Sequence, residues 1–293
     1  MFTVTVTGAT GFIGTHVVRC LQKIEKCHVI ATGRDESRLQ DLGTNYVVHD
    51  LNIEDPECYK RLGSPDILIH LAWEGLPNYR DLFHIERNLV KNYQFLKAMI
   101  WGGLPSLIVS GTCFEYGLQA GCLSEDLPAI PSTSYGIAKD SLRRFLEAIQ
   151  IHKPFRLLWP RLFYLYGEGQ SPTALLPQLD QAIDSGETTF NMSAGEQLRD
   201  YLPVEEAASR LTMLAVNPSS EGVVNICSGT PVSIRRIAEE HVARRHSSIR
   251  LNLGHYPYTQ YEPMAFWGSS SRQDQLLREA TPLSCKDSTM RTT

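Results

Sequence analysis

The chain has 293 residues, 42% of them hydrophobic and 20% charged, with a formal net charge of −4. That length suits one large α/β domain or a domain with a smaller partner, and the weak negative balance argues against a nucleic-acid binder, whose phosphate contacts need clustered Lys and Arg. No stretch approaches the about 18 apolar residues of a membrane span, and the first residues lack the charged and apolar runs of a secretory signal. The seven cysteines include no Cys-x-x-Cys pair, which suits a reducing cytoplasm. The nine histidines lack metal-ligand spacing, so no metal site is expected.

Short apolar runs alternate with amphipathic segments along the first half. Residues 2–7 read as a strand, followed by a glycine-rich turn and a helix to about residue 24. Further strands are predicted at 28–32, 45–49, 66–71, 106–110 and 155–159, with helices notably over 79–101 and 133–151. Strand–helix alternation with near-continuous apolar strands means a parallel sheet covered on both faces, and right-handed crossovers make it a doubly wound, Rossmann-like sheet. After Gly167 the pattern becomes irregular, with an amphipathic stretch over 173–184, a helix over 203–216, a strand over 222–227 and a helix over 233–244. The expected organisation is a dinucleotide-binding domain over 1–166 with late sheet elements from about 199–232. A smaller α/β substrate-binding lobe takes 167–198 and 233–280, and 281–293 forms a loose polar tail.

Gly8-Ala9-Thr10-Gly11-Phe12-Ile13-Gly14 sits between the first strand and the first helix. Glycine is needed where backbone turns tightly or approaches a pyrophosphate, and the helix N-terminus offers free N–H groups and a positive dipole end. Gly14 then lets helix and strand pack closely. The second strand ends at Gly33-Arg34-Asp35, where the adenosine ribose is discriminated. Arg34 suits a 2′-phosphate through its planar fork, whereas Asp35 suits the ribose diol of NAD, so NADP is the preferred cofactor and NAD the alternative. Asp50-Leu51 follows the third strand, where an acid can accept from the adenine amino group.

Tyr135 and Lys139 open the helix over 133–151 and, at i and i+4, share one face. A phenol has a reference pKa of about 10, and a nearby ammonium stabilises the phenolate. The pair therefore reads as a proton donor and acceptor working near neutrality.

With the glycine loop and these two residues, the sequence resembles the short-chain dehydrogenase/reductase superfamily, in its extended, nucleotide-sugar-modifying branch, the NAD-dependent epimerase/dehydratase family. The resemblance runs to about residue 280. Thr7 and Gly8–Gly14 match the family's Thr-Gly-x-x-Gly-x-x-Gly loop, Asp50-Leu51 its adenine contact, and His70-Leu71-Ala72 the segment passing the cofactor. It implies that Gly8, Thr10, Gly11, Phe12, Ile13, Gly14, Arg34, Asp50, Leu51, Leu71, Ala72, Trp73, Tyr135, Lys139 and Leu162 bind the dinucleotide. Asn88 matches the asparagine that stabilises the central helix. Val109–Gly117 matches the segment supplying the active-site Ser or Thr, here Thr112, with Cys113 and Phe114 beside the substrate. Arg161–Gly167 resembles an Arg-x-Phe-Asn-x-Tyr-Gly stretch in which Tyr164 replaces the asparagine. Arg199-Asp200 resembles the Arg-Asp segment whose arginine meets the nucleotide diphosphate. A homodimer through the Tyr135 helix and its neighbour is also implied.

The same resemblance narrows the reaction. Dehydratases of the branch carry Asp-Glu after the Ser/Thr, where this chain has Cys113-Phe114. Reductase-epimerases that make GDP-fucose carry a cysteine two positions after it and a later histidine, where this chain has Phe114 and no histidine over 172–180. The segments 73–79, 111–117 and 261–267 are similar to those of dTDP-4-keto-6-deoxyhexose 4-reductases, with the dTDP-6-deoxy-L-talose 4-dehydrogenase group nearest. The implied function is NAD(P)H-dependent 4-ketoreduction or 4-dehydrogenation of a nucleotide-activated 6-deoxyhexose in deoxysugar or lipopolysaccharide biosynthesis. A 4-epimerase with tightly bound NAD and a non-catalytic dinucleotide-binding regulator are the alternatives.

Overall fold

The computed structural model describes residues 1–51, 55, 57–259 and 261–280; the segment expected as a tail, 281–293, lies outside them. The first half alternates as read: β1 (Phe2–Thr7), α1 (Phe12–Leu21), β2 (Cys27–Gly33), α2 (Glu36–Gln40), β3 (Asn45–Val48), α3 (Cys58–Arg61), β4 (Ile67–His70), α4 (Val90–Gly102) and β5 (Ser106–Val109). Then come β6 (Gly111–Thr112), β7 (Gly121–Leu123), α5 (Ser134–His152), β8 (Arg156–Leu162) and β9 (Tyr164–Tyr166). The central sheet runs β12-β8-β5-β4-β1-β2-β3, with β6 also beside β8 and β12 formed by Gly222–Ile226. Its pairings are parallel. The chain is thus a doubly wound, Rossmann-like α/β fold.

Both faces of this sheet are covered, which is why β4 and β5 are buried throughout and β1, β2 and β8 over most of their length, whereas the edge strand β3 is not. One core joins Val4 and Val6 of β1 to Val17 and Leu21 of α1 and to Leu211 farther along the chain; the other joins Leu68 and Leu107 to Phe95, Met99, Leu142 and Leu146 of α4 and α5. The polar residues inside β1 are paired. Thr5 donates its hydroxyl to the Leu62 carbonyl at 2.8 Å, and Thr7 bonds His70 at 2.8 Å. Buried hydroxyls without such partners cost stability.

Two departures from the expected elements have local causes. The strand predicted to stop at residue 159 runs on to Leu162 through Pro160, which cannot donate to a ladder. It is tolerated because the pairing to β5 ends at Leu158 and resumes with β6 at Arg161, so the break in the ladder coincides with the missing N–H. The helix predicted over 79–101 is entered through a π-helical turn, His84–Leu89, before α4 begins. Asn92 donates to the Asn88 carbonyl at 2.7 Å and Asn88 to the Glu74 carbonyl at 2.9 Å, tying the widened turn to the loop after β4. Such turns recur at functional sites.

The second half adds α6 (Leu175–Asp184), β10 (Thr189–Asn191), β11 (Leu198–Pro203), α7 (Val204–Val216), β12, β13 (Pro231–Ser233), α8 (Ile234–Arg244), β14 (Arg250–Asn252), β15 (Phe266–Gly268) and α9 (Ser271–Glu279). Of the elements between 199 and 232 only β12 joins the central sheet. β11 pairs instead with β9 and β13, where the Asp200 carboxylate accepts from the backbone of Ser228, Gly229 and Gly268 at 2.6, 2.9 and 3.3 Å. β10 and β14 pair under α6 and α8 around Leu179, Met192, Ala238 and Ile249, and β15 pairs with β7. Among the described residues no helix is long and apolar enough to cross a membrane, and no cluster of His, Cys, Asp and Glu is arranged to hold a metal ion.

Candidate active site

The glycine loop is built by close approach. Gly8 has φ of +66°, and a Cβ there would sit 2.8 Å from the Ala72 nitrogen. A Cβ on Gly14 would lie 2.1 Å from the Gly8 carbonyl oxygen, so only glycine lets α1 start this close to β1. Gly11 is the N-cap of α1 and carries no side-chain cap, and no acid lies in the first turn of Phe12 and Ile13. The free N–H groups and positive dipole end therefore remain available to an anion. Ile13 and Leu71 pack against the core beside α1, and Leu162 stands opposite Thr112 in register.

Gly8, Thr10 and Gly11 line a cavity that continues past Ala72 and Trp73 to Gly33, Arg34, Asp50 and Leu51. Two of the lining residues, Thr32 and His49, each carry a buried polar atom, the hydroxyl and Nδ1, with no hydrogen-bond partner among the described residues. A ligand with donors and acceptors along this path fits that vacancy of partners, and the residues suit a dinucleotide. The rim carries charges that the sequence reading did not pair. Arg34 meets Glu74 at 2.7 Å, and Lys91 holds Asp50 at 2.8 Å and stands 3.7 Å from Glu74. The Lys91 hydrogen bond keeps the Asp50 carboxyl below its ordinary pKa. Asp35 caps α2, its Oδ1 accepting from the Ser37 hydroxyl and the Arg38 backbone N–H. Arg38, not singled out in the sequence, joins Arg34 in the cavity lining and donates to the Thr10 carbonyl at 2.5 Å. A roomier cavity between α1 and α7, lined by Arg19, Met213 and Val216, contains none of the expected site residues.

Thr112, Tyr135 and Lys139 come together at the carboxyl ends of the central strands. Thr133 caps α5 by accepting from the Gly136 N–H at 3.1 Å, which sets Tyr135 in the first turn. Thr112 caps the 3₁₀ turn Cys113–Tyr116, and the Glu115 carboxylate returns to the Thr112 N–H at 2.9 Å. The Thr112 hydroxyl accepts from the Phe114 N–H at 3.3 Å and lies near enough to the Tyr135 phenol to lower its pKa. Lys139 donates to the Ser110 carbonyl at 2.9 Å, with its nitrogen 4.0 Å from the Trp73 ring centre and 6.0 Å from that of Tyr135. All three side chains are buried.

The electrostatics depart from the expectation of a phenol drawn toward neutrality by the ammonium. Burial pushes the Tyr135 pKa above its ordinary value, Tyr79 adds to this, and the nearby Thr112 hydroxyl opposes it. Burial also lowers Lys139 to about 7, with Glu115 opposing. Among this chain's own groups, desolvation outweighs the pairing, so Tyr135 is held as a protonated donor.

The side of the cluster facing Phe114 is aromatic. Phe114 stacks on Tyr79 with ring centres 4.5 Å apart, and Tyr135 lies 5.7 Å from Tyr79 and 6.1 Å from Phe114. Tyr261 joins at 6.5 Å from Phe114. Tyr79 and Tyr261 fell inside segments singled out in the sequence, but nothing there indicated that they meet. Cys113 packs with Tyr116, Phe163, Cys227 and Phe266, and burial pushes its thiol up. Tyr164 donates its hydroxyl to Glu262 at 2.8 Å. Arg199, expected on a diphosphate, is fully buried: Nε and Nη2 donate to Glu262 at 3.1 and 2.7 Å, and Nη1 to the Leu198 and Met264 carbonyls. Its guanidinium also lies 4.5 Å from the Phe266 ring centre. Glu262 thus holds both residues, a partner that no pattern in the sequence pointed to.

The sequence profile of the NAD dependent epimerase/dehydratase family matches residues 4–227. A dTDP-6-deoxy-L-talose 4-dehydrogenase (NAD(+)) from Aggregatibacter actinomycetemcomitans is 29% identical over 267 residues, covering 90% of this chain and 98% of that relative. A dTDP-6-deoxy-L-talose 4-dehydrogenase (NAD(P)(+)) from Kitasatospora kifunensis is 27% identical over 80% of this chain and 77% of its own. Among solved structures, the UDP-glucuronic acid 4-epimerase of Bacillus cereus in complex with UDP-glucuronic acid and NAD shares the fold, with a TM-score of 0.82, 23% identity, and coverage of 96% of this chain and 95% of that one. The chain belongs to the NAD dependent epimerase/dehydratase family.

Proposed function

We propose that this protein is an NAD(P)H-dependent 4-ketoreductase, equivalently a 4-dehydrogenase, acting on a dTDP-activated 6-deoxyhexose. The observation that carries the reading is the buried Thr112–Tyr135–Lys139 cluster, set beside the glycine cradle and faced by the Tyr79–Phe114 stack. The relatives at 29% and 27% identity support the substrate class, and an apolar, aromatic wall suits the C6 methyl of a deoxysugar.

Gly8, Gly11, Gly14 and α1 would hold the dinucleotide's phosphates, and Arg34, Arg38 and Asp50 its adenosine end, with NADP preferred. When bound, its nicotinamide supplies or accepts hydride at the sugar carbon. Tyr135 provides a proton to the carbonyl oxygen, and Thr112 donates a hydrogen bond to the same atom. The raised pKa of Tyr135 keeps it protonated, which is the form that ketone reduction needs. Lys139 supplies positive charge next to the phenol. Exposed Trp101 on α4 and exposed Phe145 and Ile151 on α5 suit a homodimer through these helices.

A second reading, a 4-epimerase retaining its NAD, is favoured by the Arg34–Glu74–Lys91–Asp50 chain of charges across the cavity rim, which would slow release of a bound dinucleotide. Mixing the protein with dTDP-4-keto-6-deoxyhexoses and NADPH or NADH, following absorbance at the reduced nicotinamide band and identifying the sugar product, tests both. Consumption of reduced cofactor with formation of a 4-hydroxy sugar is the expected result. Interconversion of dTDP-sugars without added cofactor, by protein that purifies with NAD, would replace it with the epimerase.

A further inference from the structure

Burying an ammonium without a carboxylate partner is costly, yet the nearest groups to the Lys139 nitrogen are a carbonyl and an indole. It donates to the Ser110 carbonyl at 2.9 Å and stands 4.0 Å from the centre of the Trp73 ring. A cation at that distance from an indole face is attracted by the ring quadrupole, and the attraction is strongest in a desolvated site.

The indole is itself fixed. Its N–H can only donate, and it does so to Nδ1 of His84 at 3.1 Å. That assigns the tautomer of His84: Nδ1 accepts, and Nε2–H donates to the Asn78 carbonyl at 3.0 Å. His84 is fully buried, and burial lowers its pKa, so the ring stays neutral and keeps an acceptor for the indole. The two rings lie nearly parallel, at an interplanar angle of 18° with centres 6.2 Å apart, and Trp73 also meets Tyr135 edge-on at 5.9 Å. His84 opens the π-helical turn, so the widened turn places the acceptor.

We propose that Trp73 is a positioning residue for Lys139: its indole face carries the ammonium, and His84 holds the indole in that orientation through its N–H. Loss of the ring face then disfavours the charged lysine, and a misplaced ammonium serves Tyr135 poorly. The other titratable groups facing the ammonium are Glu115 from the turn after β6, which favours the charged form, His70 from β4, His84 from the π-helical turn, and Tyr135 on α5. The proposal rests on the reductase reading only for its consequence in turnover, so its test is made on the ligand-free protein.

In protein labelled at the lysine ε-carbon, one ε-CH₂ resonance should be displaced upfield by the indole ring current and be missing from Lys139→Met. With burial lowering its pKa to about 7, that signal should titrate near neutrality. In Trp73→Leu it should move to the ordinary lysine position, and its midpoint should fall by about one pH unit, the tenfold change expected of a desolvated cation–π contact. Trp73→Phe, which keeps a ring face, should fall between, and His84→Phe, which removes the acceptor but keeps an aromatic ring, should reduce the ring-current shift. An undisplaced Lys139 signal in the wild type overturns the proposal, as does an unchanged midpoint in Trp73→Leu or, if that variant does not fold, in Trp73→Phe. Absence of turnover on every deoxysugar tried, with the displaced lysine signal intact, would overturn the proposed reaction and leave this role standing.

Discussion

The Glu115 carboxylate meets the Arg161 guanidinium at 2.8 Å, with side-chain exposures of 0% and 3%. The same carboxylate accepts from the Trp159 indole at 2.9 Å and from the Thr112 backbone at 2.9 Å. One buried acid therefore ties β8 to the turn that presents Thr112. Replacing it with the neutral amide should cost far more than a surface charge change, because Arg161 is left buried and charged. Glu115→Gln should lose about 3–5 kcal/mol of unfolding free energy, measured by urea denaturation, and turnover should fall as the Thr112 turn loosens. A loss below about 1 kcal/mol, the level of a surface pair, would show that Arg161 finds another partner.

In the proposed reaction Tyr135 moves the proton, and its hydroxyl is the only difference from phenylalanine. Tyr135→Phe should reduce kcat by about 10²–10⁴-fold, the usual contribution of a positioned proton donor. Dinucleotide affinity, followed by quenching of tryptophan fluorescence, should change little. Retained turnover would remove Tyr135 from the chemistry, whatever happens to binding.

In the proposed function Arg34 and Glu74 set opposing preferences at the adenosine end. On the proposed reading Arg34 would attract a 2′-phosphate, while Glu74, 2.7 Å from it, would compete for the same guanidinium and repel added negative charge. Glu74→Gln should raise the ratio of kcat/KM for NADPH over NADH by about tenfold, and Arg34→Ala should lower it by a similar factor, since a charge-assisted hydrogen bond contributes about 1.5–3 kcal/mol. The two variants moving the ratio in the same direction would place the 2′ position elsewhere, with Arg38 the next residue to change.

The central sheet was legible because its inner strands are buried on both faces and read as apolar runs, and because helices with one apolar stripe separate them. The glycine loop was legible because Gly8 and Gly14 answer steric demands that no other residue meets. The short strands β7, β9, β10, β13, β14 and β15 were not, since three residues carry too little periodicity to be told from loop. The partners of site residues were also hidden. Glu262 reaches Arg199 from 63 positions away and Glu74 reaches Arg34 from 40, and a single chain gives no sign of such pairings before it folds. His84 looked like an ordinary helical residue because its role depends on a turn widened by one residue.

His70 makes acid a specific threat to the ligand-free fold. It is fully buried, donates from Nε2 to Asn92 at 2.6 Å and accepts the Thr7 hydroxyl at 2.8 Å on Nδ1. Burial, aided by the charge of Lys139, lowers its pKa to about 3, against an ordinary value of 6.5. The unfolded chain then binds the proton more readily than the folded one between those values. The stabilisation is complete above about pH 6.5 and is lost as pH falls toward 3, at a limiting slope of about 1.4 kcal/mol per pH unit. His70→Gln keeps a donor and an acceptor but cannot titrate. It should be less stable than the wild type at pH 7 and lose stability more slowly between pH 6.5 and 4.5, as read by denaturant midpoints at each pH. Because carboxylates and the other buried histidines titrate alike in both proteins, the difference in slope isolates His70. Parallel curves for the two proteins would mean that His70 is already charged or solvated in the fold.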